Sequence, residues 1–189
     1  MKQTLKILGM DPSFSNWGLA CMVYDLQLAT FGLAKLDVIQ PPSDDSKQVR
    51  KSSKDLQRAE YIFERVKAYL VHVDVICVEV PHGSKSARAS LGAGASIGLI
   101  AALRSMTDKP VICVNAGETR KEITGKNSAT KQQAIDWAIG LYGEDKFPKH
   151  NGKVVAGKAE HMADAIAAVH AGSRTETFKM LAMLANKEQ

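Results

Sequence analysis

The chain has 189 residues, a length that suits one domain with a sizeable buried core. With 45% hydrophobic and 24% charged residues, it reads as globular rather than disordered. A formal net charge of +5 suits a polyanionic partner without identifying one.

The first predicted element is Leu5–Met10, a short apolar run that stops at Asp11-Pro12, where proline favours a strand end. Gly18–Tyr24 and Leu28–Ile39 read as two further strands, and the short gap Asp25-Leu26-Gln27 suits an antiparallel hairpin. Pro41–Ser53 has loop composition and is expected to be mobile. Lys54–Val71 places Leu56, Ala59, Ile62, Phe63, Val66 and Leu70 near a helical period. Asp74–Val80 is β-branched and almost wholly apolar, the pattern of a buried parallel strand. A helix over Ala87–Met106 and a strand over Val111–Asn115 come next. Helices are predicted over Ala116–Ile123, Ala129–Leu141, His161–Ala171 and Glu176–Leu184, with a polar, basic loop at Gly143–Lys158.

Cys21, Cys77 and Cys113 lie in apolar segments without metal spacing and read as buried, reduced thiols. The first residues do not have signal-peptide character, and the longest apolar run, Leu91–Leu103, is short of a bilayer span. The expectation is a soluble, cytoplasmic, single-domain protein of residues 1–189, of a size that would suit a bacterial cell or a phage-infected host without settling the source.

Three strands in a meander followed by helix–strand–helix–strand make an α/β chain with a mixed sheet. The later connections are crossovers, so the last two strands should run parallel to the first. If the fourth strand pairs beside the first, Asp11 and Glu79 become neighbours at one sheet edge. Glu79 ends an apolar strand, where a carboxylate is costly unless a cation or donor compensates it. His161 and Asp164, three apart on a predicted helix, share one face. Taken singly, Asp11 before Pro12-Ser13 reads as a turn residue and His161 as a surface or cap histidine. Taken jointly, Asp11, Glu79, His161 and Asp164 form a candidate site for a pair of Mg²⁺ ions, which take oxygen ligands and phosphate.

Four segments carry a family resemblance. ILGMDPSFSNWGLA resembles the first motif of the RuvC family of Holliday-junction resolvases, and ICVEVPHG its second. TRKEITGKNSATKQQAI is similar to the basic stretch before the family's penultimate helix, and EHMADAIAAVHA to its last motif. The four fall in order and span about Ile7 to Ala171. The resemblance implies an RNase H-like mixed five-stranded sheet, a three-strand antiparallel meander plus two parallel strands, flanked by helices. It implies a homodimer that nicks four-way DNA junctions symmetrically, with Mg²⁺ as cofactor and Mn²⁺ accepted. It also makes Asp11, Glu79 and Asp164 metal ligands and Lys131 a catalytic basic residue. Arg120, with Lys121 and Lys126 in the same stretch, is expected on DNA phosphate.

Two positions depart from the family. His161 stands where an acid is usual, and a softer, neutral imidazole should shift preference toward Mn²⁺. His82 stands where an aromatic ring is usual; it reads equally as a base-stacking residue and a plain loop histidine. Lys85 and Arg88, just after the Glu79 strand, are expected on DNA. For Lys47, Arg50, Lys51, Lys54 and Arg58, a DNA face and an ordinary solvated face are even readings. Gly92, Gly94 and Gly98 are costly in a helix unless packing offsets them, within the protomer by preference or across a dimer. Trp17 and Trp137 read as core residues. A non-catalytic junction binder and an RNA-processing nuclease remain the rival functions.

Overall fold

The computed structural model describes residues 4–43, 48–83 and 86–187. Lys47 and Lys85 lie outside them, as does the middle of the expected Pro41–Ser53 loop. Strands β1 (Thr4–Asp11), β2 (Trp17–Asp25) and β3 (Thr30–Ile39) form an antiparallel meander. Helix α1 (Lys51–Leu70) leads to β4 (Val75–Glu79), and α2 (Ala87–Ser105) leads to β5 (Val111–Val114). Helices α3 (Ala116–Thr124) and α4 (Lys131–Tyr142) follow, each opened by a reciprocal capping box, Asn115 with Glu118 and Thr130 with Gln133. A two-strand hairpin, β6 (Lys149–His150) and β7 (Lys153–Val154), precedes α5 (Ala156–Ser173) and α6 (Glu176–Lys187).

The main sheet has five strands among the described residues, in the order β3-β2-β1-β4-β5. β4 runs parallel to both β1 and β5. This is the mixed sheet the sequence predicts, with β4 beside β1. No helix among the described residues is long and apolar enough to cross a membrane.

The expected Gly143–Lys158 loop differs most from the structure. It holds a 3-10 turn at Glu144–Lys146, the β6–β7 hairpin and the first residues of α5. The Asn151-Gly152 pair turns the hairpin with φ of 49° and 76°, the left-handed geometry that Asn-Gly favours. Helix α5 opens at Val155 with no side-chain cap, so the sequence holds no start signal there.

Alternation along the strands divides the core into two layers. On one face Leu5, Ile7, Val75 and Cys77 pack with residues of α4, α5 and α6. On the other, Leu8, Met10, Ile76 and Val78 pack with Ile62, Val66 and Leu70 of α1 and Ile100 and Leu103 of α2. Trp17 is fully buried in this second layer, as expected, although its Nε1 has no partner among the described residues; Trp137 is half-buried. Cys77 is buried as expected, Cys21 is half-buried and Cys113 is exposed on β5.

Two glycines let α5 lie almost on the sheet. A Cβ on Gly9 would stand 2.1 Å from the Ala165 carbonyl oxygen, and one on Gly18 would stand 2.1 Å from that of His161. The expected packing of the α2 glycines within the protomer is found only at Gly92, whose Cβ position lies 3.5 Å from Phe14 Cβ. Gly94 and Gly98 have nothing within 4 Å, because that side of α2 faces outward with Leu91 and Ile97 exposed.

Candidate active site

The strand period that buries Leu5 and Ile7 under α5 also sends Asp11 to that face. Val75 and Cys77 do the same for Glu79. Met10 pairs with Val78 across β1 and β4, so the next residues, Asp11 and Glu79, end adjacent strands side by side. Asp11 also faces Gly18 on β2, and Gly18 is where the His161 backbone comes down. Thus the missing side chain at Gly18 seats α5 against the edge where the two acids emerge.

His161 Nδ1 lies 2.7 Å from Asp11 Oδ2, and its Nε2 lies 3.6 Å from Glu160 Oε1. Burial lowers the imidazole pKa, but the hydrogen bond and charge of Asp11, with Glu160 and Asp164 nearby, carry it above its ordinary value. Glu79 is held by Thr119 of α3, whose Oγ1 donates to Oε2 at 2.7 Å. Burial pushes the Glu79 carboxyl up; the Thr119 bond works against this, the Asp11 charge adds to it, and Arg120 and His82 oppose it. Asp164, one helical turn below Glu160, is pushed up to about 7, first by burial and then by Asp11 and Glu79. His161 opposes that rise and Glu160 adds to it.

Asp11, Glu79, His161 and Asp164 therefore meet at one sheet edge. Lys131, at the start of α4, reaches the same place through Glu160, with Nζ 2.7 Å from Oε2. Arg120 and His82 are exposed but close enough to act on Glu79. Arg88 donates through both terminal guanidinium nitrogens to Asp55 of α1, at 2.7 and 2.7 Å, and lies on a neighbouring cleft beside Pro12 and Pro81. Lys121 lines a different hollow with Arg174, and Lys126 is exposed in the loop between α3 and α4. Glu160 and Thr119 were not singled out from sequence. Glu160 carried a signal, since it lies four residues before Asp164 on one helix face; Thr119 carried none.

Among the described residues, no three His, Cys, Asp or Glu side chains stand in a metal-binding arrangement, and Asp11 Oδ2 is taken by His161. The donor chemistry nevertheless fits a hard divalent cation. Three neighbouring carboxylates offer oxygens, and both the burial and the neighbouring negative charge that raise the Glu79 and Asp164 pKa values are costs that such a cation would offset.

Neither a family model nor a curated protein sequence matches the chain. Solved structures do. Thermus thermophilus RuvC in complex with Holliday junction substrate has a TM-score of 0.63 at 18% identity, over 86% of this chain and 92% of that one. Thermus thermophilus RuvC in a second structure gives 0.63 at 20% identity, over 89% and 95%. Fowlpox virus resolvase with Holliday junction DNA gives 0.51 at 20%, over 94% and 99%. The five-strand order and the layers of helices thus match those of the RuvC-like RNase H fold, and this chain has that fold.

Proposed function

We propose that this protein is a metal-dependent DNA endonuclease that resolves four-way junctions by paired symmetric nicks. The observation that carries the reading is the meeting of Asp11, Glu79 and Asp164, from two strand ends and one helix, at a half-buried edge where burial, joined by the Asp11 charge, disfavours charging Glu79 and Asp164. The likeness in fold to resolvases solved with junction DNA supports the substrate class.

In this reading Asp11, Glu79 and Asp164 hold the metal, and His161 is the fourth member of the set. A pair of Mg²⁺ ions bound there would supply an activated water and offset charge on the leaving oxygen. Thr119 fixes the Glu79 carboxylate, and His161 fixes that of Asp11 through Nδ1. Lys131 is exposed and tied to Glu160 by one contact, so it can transfer to a DNA phosphate when one arrives. Arg120, Lys121, Lys126, His82, Lys85 and Arg88 supply further DNA contacts, and binding weakens steeply with salt. The outward face of α2, open at Gly94 and Gly98, supports a homodimer through that helix, which suits a nearly two-fold junction. A Gly98→Leu variant that stays folded and sediments as a monomer is the expected outcome.

The deciding experiment is cleavage of an immobile four-way junction beside matching linear duplex, in Mg²⁺ and in Mn²⁺, with Asp11→Asn as control. Paired nicks on the junction alone, lost in the variant, are expected. The His161–Asp11 hydrogen bond, which occupies a ligand oxygen, favours one second reading, a junction binder without catalysis. Tight binding without cleavage in either metal would select it. If His161 is a ligand, His161→Asp raises the Mg²⁺ to Mn²⁺ activity ratio; an unchanged ratio removes it from the ligand set.

A further inference from the structure

Lys131 opens α4, at the end of a helix where the dipole and the free N–H groups favour negative charge. The first turn of α4 holds no acidic residue. That charge comes from α5 instead, as Glu160, whose Oε2 lies 2.7 Å from Lys131 Nζ. The two partners differ in surroundings: the lysine side chain is 81% exposed and the glutamate 14%. A lysine so exposed loses little on leaving, because water receives its charge and such ion pairs are weak. A carboxylate so covered does not, and it needs another cation in the lysine's place.

The side chains around Glu160 do not supply that cation. His161 Nε2 stands 3.6 Å from Oε1, too far for a hydrogen bond, and the imidazole is engaged with Asp11 through Nδ1. Asp164, one helical turn further along α5, is close enough to feel the Glu160 charge. If Lys131 left for a DNA phosphate, Glu160 would join Asp11, Glu79 and Asp164 as a fourth uncompensated carboxylate. A phosphate arriving there would meet all four. The phosphate needs the lysine and Glu160 needs a cation, and a divalent ion at the acid centre meets both needs at once.

Resting on the endonuclease reading, we propose that Glu160 is a positioning residue that makes DNA binding and metal binding depend on each other. Without a divalent cation at the acid centre, Glu160 holds Lys131. With one there, the charge of Glu160 is offset and Lys131 is released to a DNA phosphate. DNA reaching the metal-free protein meets a neutralised lysine and is held weakly. The coupling is reciprocal: the factor by which the cation tightens DNA binding is the factor by which DNA tightens cation binding. An ion pair that only fastened α4 to α5 would make the same contact but would not respond to metal.

The test compares the wild type with Glu160→Gln, which keeps the shape and removes the charge. Affinity for an immobile four-way junction is read by anisotropy with and without Ca²⁺, used in place of Mg²⁺ to keep the junction intact, at constant ionic strength. The Ca²⁺-dependent gain in affinity should be about fivefold smaller in Glu160→Gln, which should bind the junction more tightly than the wild type when no metal is present. Amine labelling read by mass spectrometry follows Lys131 itself in the DNA-free protein. Ca²⁺ should speed labelling of Lys131 by about two- to fivefold in the wild type. It should leave unchanged Lys179, which is paired with Glu176 at the same 2.7 Å on α6. In Glu160→Gln, Lys131 should label at the faster rate with or without Ca²⁺. Thermal melts establish that the variant folds; should it fail to, labelling of Lys131 in the wild type decides. Equal Ca²⁺ gains in the two proteins, or Lys131 labelling unmoved by saturating Ca²⁺, overturn the coupling and leave the endonuclease reading intact. Absence of junction binding, with or without Ca²⁺, overturns both.

Discussion

Thr119 does more for the acid centre than its chemistry advertises. Its single hydroxyl proton has two acceptors in reach, Glu79 Oε2 at 2.7 Å and Ala116 O at 3.2 Å, and the shorter, charged one is favoured. Thr119→Val keeps the shape and removes the donor. The Mg²⁺ concentration for half-maximal cleavage should then rise about tenfold or more, as for other residues that orient a metal ligand. Thr119→Ser should restore it; cleavage at unchanged Mg²⁺ in the valine variant would reduce Thr119 to a packing residue. The acids themselves were legible: Asp11 and Glu79 stand where apolar strands stop, and His161 and Asp164 share a helix face. Thr119 was not, because it lies 40 residues from Glu79 and meets it only through the pairing of Glu79 with Val114, just before α3. Glu160 was hidden beside His161, although its spacing to Asp164 is one helical turn.

At the scale of elements, α5 is the part that must be seated closely, and glycines on two strands and on α5 itself allow it. A Cβ at Gly18 would strike the His161 backbone at 2.1 Å, whereas one at Gly172, near the far end of α5, would strike the Cys77 side chain at 2.6 Å. Gly18→Ala and Gly172→Ala should each destabilise the protein by about 1–3 kcal/mol in urea unfolding, the usual cost of overpacking. Only Gly18→Ala should also lose cleavage where the protein is fully folded, because it lifts His161 away from Asp11. Equal specific activity of the two variants would show that α5 need not sit so close. Strand order and most element types could be read from the sequence, since strong alternation and crossover rules govern them. The start of α5 and the β6–β7 hairpin could not: Val155 offers no cap, and two-residue strands are too short to set a hydrophobic period.

Across the whole molecule, α5 joins the acid centre at its beginning to an aromatic cluster at its end. His170 sits there, with Nε2 2.7 Å from the Tyr142 hydroxyl and its ring 4.8 Å from Phe31 and 5.2 Å from Trp137. Burial lowers its pKa; Glu122 opposes this and Arg174 adds to it, while the buried Tyr142 phenol is pushed up to about 12. The native state therefore prefers neutral His170, and the unfolded chain, with a pKa near 6.5, takes up the proton first. The stability this residue contributes is present above about pH 6.5 and is lost as pH falls through the lower native value. His170→Gln cannot titrate and retains a polar group for Tyr142. Between about pH 8 and about pH 5 the wild type should lose more of its urea midpoint than this variant, whatever the carboxylates contribute to both. Equal losses would mean that the histidine has the same proton affinity folded and unfolded. Because one helix carries both ends, acid that loosens the His170 cluster should also release α5 from the sheet. His161 and Asp164 would then leave Asp11 and Glu79, so that, beyond the loss from protonating Asp164 that both proteins share, junction cleavage should persist to lower pH in His170→Gln than in the wild type.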